Sequence, residues 1–244
     1  GLMSSKPTSY VGVDIGSTSV KVVELGVEQG RPRLRTYGYS ERRGDSVLEG
    51  TSKHLEEIAD LIRKVMSESK VSSDRVITAL PSYSVFSSVL SFPLSLSDKD
   101  LPSAIKWEAK KVIPLPIEEM SLSWNKLSES EEAAEEKEES TKDGSDKKGA
   151  KDKKGKKFGK KRSAKKGSQK ILLTGAPNSL VKKYVDIFKL ANLKLVSLET
   201  ESFALVRSLI GNDKSAAMIV NFGSVSTTIT IVENSIPILN RSID

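Results

Sequence analysis

The 244-residue chain has no cysteine and a single histidine, His54. Without thiols it has no disulfides, no thiolate metal sites and no cysteine nucleophile, which fits a reducing compartment. His54 sits near the start of a predicted helix with no second ligand in sight, and reads as a solvent-facing helix residue. No apolar run approaches the roughly 18 residues that a membrane-spanning helix needs. The opening stretch, GLMSSKPTSY, also lacks the apolar core of a secretory signal.

Charge is abundant but unevenly placed. The formal net charge is +7, and residues 128–170 carry 15 Lys/Arg against 10 Asp/Glu, so most of the excess belongs to one segment. Within it, residues 129–139 hold seven Glu and one Lys, and the remainder is lysine-rich. Its one large apolar residue is Phe158. Ordering such a segment costs on the order of 40–80 kcal/mol of backbone entropy, which one phenyl ring cannot offset. The composition therefore predicts a disordered loop over 128–169. Its basic half offers nonspecific contacts to anionic surfaces. With no aromatic interleaving it has no means of specific nucleic-acid recognition.

The rest alternates between strand and helix patterns. Strands are predicted at Tyr10–Ile15, Val20–Leu25, Arg33–Tyr39, Arg75–Leu80, Val85–Phe92, Glu118–Leu127, Lys170–Thr174 and Leu193–Leu198. Helices are predicted over Ser52–Ser69, from Ser97 or Asp98 to Val112, over Ser179–Ala191 and over Glu201–Ile210. In the first, Leu55, Ile58, Ala59, Ile62, Val65 and Met66 recur at helical spacing. The strands flanking the charged segment, MSLSWNKL and KILLTGA, are expected to pair as an expanded hairpin.

Two short stretches carry the chemistry. VGVDIGSTSVKVVEL is a strand, a turn of small polar residues, and a returning strand with a single Lys. Far downstream IVNFGSVSTTITIV repeats the design, with strands predicted at Ala216–Phe222 and Thr227–Val232. Small residues let backbone N–H groups approach an anion closely, and Ser and Thr hydroxyls add donors. A Lys supplies a point charge, and an Asp beside the loop suits the water shell of Mg²⁺. Asp14, Gly16, Ser17, Thr18, Ser19 and Lys21 match that kit, and two such turns suggest a duplicated fold gripping one ligand from both sides.

The D-x-G-x-x-x-x-K spacing with a second small-residue hairpin resembles the actin, sugar-kinase and DnaK-type ATPase superfamily. Within it, the stretch from ALPSYSVFSS to EEMSLSWNKL, with its Trp-Glu helix and Pro-x-Pro break, is similar to the PilM proteins of type IV pilus machines, which are FtsA-like. This resemblance implies an α/β actin-like fold with duplicated ribonuclease H-like lobes. The implied first lobe spans 8–79 and 178–214. A smaller partner-binding subdomain is inserted at 80–177, and only the start of a second lobe follows at 215–244. It further implies ATP with Mg²⁺ as cofactors, held by residues 16–19, by Lys21 and by Asp14 through metal-bound water. Asn221, Gly223, Ser224 and Ser226 would act from the second hairpin. Glu201 falls where a carboxylate lies near the attacking water, though a helix-start glutamate is equally favoured by the dipole. The implied partner is the cytoplasmic N-terminal peptide of a PilN-like inner-membrane protein, and other pilus components are candidates. The implied location is cytoplasmic, peripheral at the inner face of the membrane.

Three departures matter. Asn221 stands where the superfamily usually has Asp, Val225 where a Gly is common, and the sequence ends before most of the second lobe. The chain is therefore expected to be a fragment or half of a split gene. Losing the Asp charge would cost about two to three orders of magnitude if it assists hydrolysis, so slow or absent turnover is expected. An FtsA-like division protein is the alternative. A small-molecule kinase would need a carboxylate base, yet Asp98, Asp100, Glu108, Glu118 and Glu119 all fall on predicted caps or exposed faces. Because 128–169 cannot contribute a core, its deletion should leave cooperative thermal unfolding intact by circular dichroism. Loss of the transition would contradict the disorder expectation.

Overall fold

The computed structural model describes residues 9–42, 47, 49–130 and 167–243, with backbone alone at 128–130. The chain opens with an antiparallel meander, β1 (Ser9–Ile15), β2 (Ser19–Glu28) and β3 (Arg31–Glu41). Strand β4 (Arg75–Leu80) then pairs parallel with β1, and β8 (Lys194–Thr200) pairs parallel with β4, giving the order β3-β2-β1-β4-β8.

Two helices, α1 (Ser52–Glu68) and α3 (Asn178–Leu190), bury apolar stripes against this sheet. Thr51 caps α1 by accepting from the His54 amide at 3.4 Å. The six apolar positions that the spacing marked are the six buried residues of that helix. In α3, Leu180, Tyr184, Ile187 and Phe188 face inward. Together with Val11, Val13, Val20, Val22 and Val76 they form the principal core.

One buried charge belongs to this core. Glu24 is 1% exposed, and its carboxylate accepts from Ser9 Oγ at 2.8 Å, Ser72 Oγ at 2.6 Å and Ser72 N–H at 3.0 Å. Burial pushes its pKa up, but the Ser72 and Ser9 hydrogen bonds and the Arg35 charge outweigh this and hold it below the ordinary 4.5.

Between β4 and α3 lies a second unit: β5 (Phe86–Pro93), α2 (Leu101–Val112), β6 (Met120–Ser130) and β7 (Ser168–Pro177). Its sheet runs β5-β7-β6, fully antiparallel, and Leu101, Ile105 and Ala109 of α2 pack on it. The strands flanking the charged segment pair with one another, from Met120 opposite Pro177 to Ser130 opposite Ser168. The expected disorder of 128–169 thus needs correction at both ends. Strand β6 runs to Ser130, β7 begins at Ser168, and Gln169 is 4% exposed, with its side-chain amide donating to Pro93 O at 3.2 Å. Polar composition hid this, because register and burial of a side-chain amide are tertiary properties. The remainder of that expectation falls on 131–166, outside the described residues.

A third sheet closes the chain, with β9 (Ala217–Phe222), β10 (Thr227–Glu233) and β11 (Ile236–Ile243) in the order β11-β10-β9. Strand β11 had no sequence prediction. Its turn uses Asn234 and Ser235 at positive φ in place of a glycine, and Pro237 argues against a strand unless it lies at an edge, as it does here. The helix predicted over Glu201–Ile210 is also shorter than expected. The α-helical part, α4, covers Glu201–Leu205, and a π turn covers Val206–Ile210, closed by the Gly211 amide on Val206 O at 3.0 Å. Both hydrogen-bond registers share one apolar pattern over so short a stretch. Among the described residues no helix is long and apolar enough to cross a membrane.

Replacing Glu24 with Gln should cost about 1–2 kcal/mol at pH 7, because a carboxylate that accepts three hydrogen bonds becomes a neutral amide with donors to place. The carboxylate contribution is complete above the unfolded-chain value near 4.5 and is withdrawn as pH falls through the lower folded-state value. The Tm gap between wild type and Glu24→Gln should therefore narrow below about pH 4. A gap independent of pH would contradict this account.

Candidate functional site

The two glycine-bearing turns are closed by the same backbone hydrogen bond. In the first, Gly16 N–H donates to Ser19 O at 2.9 Å, and in the second Gly223 N–H donates to Ser226 O at 2.9 Å. A Cβ on Gly223 would lie 2.8 Å from Ser226 O, and one on Gly16 would lie 3.3 Å from Ser19 O, so both turns are too tight to tolerate a side chain easily there. Two pairs along the ladder from each turn stand Asp14 opposite Lys21 in one hairpin and Asn221 opposite Thr228 in the other. The order β11-β10-β9 repeats β3-β2-β1, so the equivalence extends from the turn to the whole meander.

These hairpins face one another across a single cleft of about 240 Å³. Every candidate lines it: Asp14, Gly16, Ser17, Thr18, Ser19 and Lys21 from the first lobe, Glu201 from α4, and Asn221, Gly223, Ser224 and Ser226 from β9 and the following turn. Val225 lies there as well, 61% exposed at the tip of its turn. Lys21 Nζ donates to Asp14 Oδ2 at 3.1 Å, and both side chains are more than half exposed.

Glu201 occupies the junction. Its Oε2 accepts from Ser82 N–H at 3.2 Å, just beyond β4, and its Oε1 accepts from Asn221 Nδ2 at 2.8 Å. Thr200 caps the helix behind it. Each carboxylate oxygen is thus already engaged, one by the Ser82 backbone and one by the Asn221 amide. The rear wall is phenolic. Tyr184 is 1% exposed, and burial, followed by the neighbouring Tyr83, Asp14 and Glu201, drives its phenol well above the ordinary range, so it stays protonated. Burial and Glu201 likewise raise Tyr83.

Sequence reasoning missed Arg42. It is 8% exposed, its Nη1 donates to Gly16 O at 2.7 Å and its backbone N–H donates to Thr18 O at 2.8 Å. Its Nη2 meets His54 Nε2 at 2.8 Å. His54 is therefore not the solvent-facing residue expected from its helix position, since its side chain is only 13% exposed. Arginine always donates, so the contacting ring nitrogen accepts. Helical spacing alone cannot show that a strand-end guanidinium folds over the first turn of α1.

A second concavity, about 530 Å³, separates the small sheet from the large one. Leu122 and Asn125 of β6, Thr174 of β7, Thr200 of β8, Phe203 of α4 and Arg207 of the π turn line it. Arg207 pairs with both oxygens of Glu199, one at 3.0 Å, so the rim carries a fixed ion pair.

Twin small-residue hairpins meeting across one cleft, each at the head of an antiparallel meander, define an actin-like ATPase fold. The family model described as type IV pilus assembly protein PilM matches residues 12–141, more than half of the chain. The chain belongs to that family. Among solved structures it is similar to a chain of a PilM–PilN type IV pilus biogenesis complex, with TM-score 0.68 and 20% identity over 98% of this chain and 62% of that one. It is also similar to the cytoplasmic domain of EpsL, an inner membrane component of the type II secretion system of Vibrio cholerae. There the TM-score is 0.54 and the identity 10%, over 97% of this chain and 71% of that one. The chain thus spans less than two thirds of the length of the first of these relatives.

Asn221→Asp would set a carboxylate against Glu201, where an amide now donates at 2.8 Å. The two acids would then share one proton or repel. The variant should lose about 1–3 kcal/mol at pH 7.5 and recover most of it near pH 4.5, where a protonated carboxyl again donates. Tm at the two pH values checks this, and an equal deficit at both would refute the bridge.

Proposed function

We propose that this chain carries the nucleotide cleft and partner groove of a cytoplasmic adaptor for type IV pilus assembly, peripheral at the inner face of the cell membrane. In this reading the cleft takes ATP with Mg²⁺, and the groove between β6–β7 and β8–α4 takes the cytoplasmic N-terminal peptide of a PilN-like membrane protein. The observation that carries the nucleotide assignment is that two glycine turns of matching geometry line one cleft together with Lys21 and Asp14.

The chemistry follows from the donors. Backbone amides and the hydroxyls of Ser17, Thr18 and Ser19 would hold terminal phosphates from one side, and Ser224 and Ser226 from the other. Lys21 would neutralise phosphate charge. The described residues contain no cluster of three or more metal-ligating side chains. Of the two cleft carboxylates, Asp14 and Glu201, Asp14 sits on the hairpin strand and suits Mg²⁺, which keeps most of its water and takes its other ligands from phosphates. The ion would supply further charge neutralisation at those phosphates.

Hydrolysis is expected to be slow. Asn221 brings no negative charge to a metal-bound water, and Glu201 accepts from the Ser82 backbone and from Asn221 instead of standing free beside the cleft. The kinase alternative finds no support. Asp98, Glu108 and Glu118 are paired with Lys126, Lys111 and Lys110 in exposed ion pairs, and Asp100 bonds Ser97 at the start of α2.

Support for the peptide partner is the family membership together with the likeness to a chain from a PilM–PilN complex, and the groove supplies an apolar floor with a charged rim. The decisive measurement is calorimetric titration with Mg·ATP. Lys21→Ala should weaken binding roughly tenfold or more, about 1.4 kcal/mol. Its Tm should barely change, because an exposed ion pair adds little to stability. Equal affinity in wild type and variant would argue against the assignment.

A further inference from the structure

In a trans peptide the carbonyl and the following N–H point in opposite directions. A group that captures loop carbonyls from behind therefore turns the next amides forward. In the first hairpin Arg42 captures two. Gly16 O accepts from its Nη1 at 2.7 Å, and Thr18 O accepts from its backbone N–H at 2.8 Å. The amides on those same peptide units belong to Ser17 and Ser19. Gly16 O is thus taken by Arg42, and Ser19 N–H does not close back on it.

Position agrees with this role. Residues 16–19 line the cleft, whereas Arg42 does not line it and is 8% exposed. Arg42 also reaches His54 Nε2 at 2.8 Å, on the first turn of α1, where Thr51 accepts from the His54 amide. The loop is thereby seated on a helix of the principal core.

We propose that Arg42 is the positioning residue of the first phosphate hairpin. It holds the loop carbonyls on the rear side so that the Ser17 and Ser19 amides face the cleft, and it fixes that arrangement to α1 through His54. The ligand class is the terminal phosphate of a nucleotide, and this part rests on the reading of the cleft given above. The first hairpin is then preorganised for that phosphate.

Amide hydrogen exchange on the whole chain tests the brace without any ligand. Arg42→Gln should raise the exchange rate over 9–22 about tenfold while leaving α1 and β9–β10 unchanged. Arg42→Lys should fall between, because an ammonium can reach a carbonyl but cannot span to His54 as well. An unchanged rate over 9–22, or uniform acceleration of all segments, would overturn the proposal. In a second arm, Mg·ATP titration should show Arg42→Gln binding roughly tenfold more weakly than wild type. Equal affinity, with exchange altered, would overturn the phosphate role. If wild type binds no ATP, the nucleotide reading falls, and exchange alone still decides whether Arg42 braces the loop.

Discussion

One carboxylate ties the halves of the cleft together. Glu201 accepts from the backbone beyond β4 and from the Asn221 amide on β9, so a single side chain sets the distance between the two phosphate-type turns. The bond to Asn221 exists because the residue there is an amide. An acid at the same point would repel Glu201 unless a proton or cation intervened. The amide at this position is thus what lets the two sides of the cleft stay joined with no cation between them.

The hairpins themselves owe their likeness to a repeated meander. Strands β1–β3 and β9–β11 share an order, a four-residue glycine turn and one cross-loop hydrogen bond. They differ in what surrounds them. The first meander is covered by α1, with Val20 and Val22 nearly fully buried, and its turn is braced by Arg42. In the second, Val232, Ile219 and Val206 make a small core, while Met218 and Phe222 are 62% and 81% exposed. Packing behind a turn decides how firmly its carbonyls are held, and behind the first turn that packing comes from Arg42 and α1.

The second groove has a different origin. It arises where the small antiparallel sheet, inserted between β4 and α3, meets β8 and α4. The π turn contributes Arg207, whose pairing with Glu199 fixes a charged rim beside an apolar floor. Wide helical turns of this kind recur at functional sites, since they redirect side chains that a regular helix would stack.

Much of this was legible in the residues alone. Apolar spacing located α1 and α3, and a cap with a proline stop located α2. The Gly-Ser-Thr-Ser and Gly-Ser-Val-Ser turns named the cleft, and the flanking patterns paired β6 with β7, because periodicity and small-residue turns are local properties of a chain. Strand β11 escaped through its Asn-Ser turn and Pro237, and Gln169 was hidden in polar composition. Arg42, the enclosure of His54 and the double engagement of Glu201 were invisible for a different reason. Each joins residues brought together only when β3 meets α1, or when β4, α4 and β9 converge. The sequence by itself determined which segments form strands, helices and anion-friendly turns. Tertiary structure alone decided which carbonyls are braced and which carboxylate bridges the lobes, because hydrogen-bond partners distant along the chain are chosen by packing.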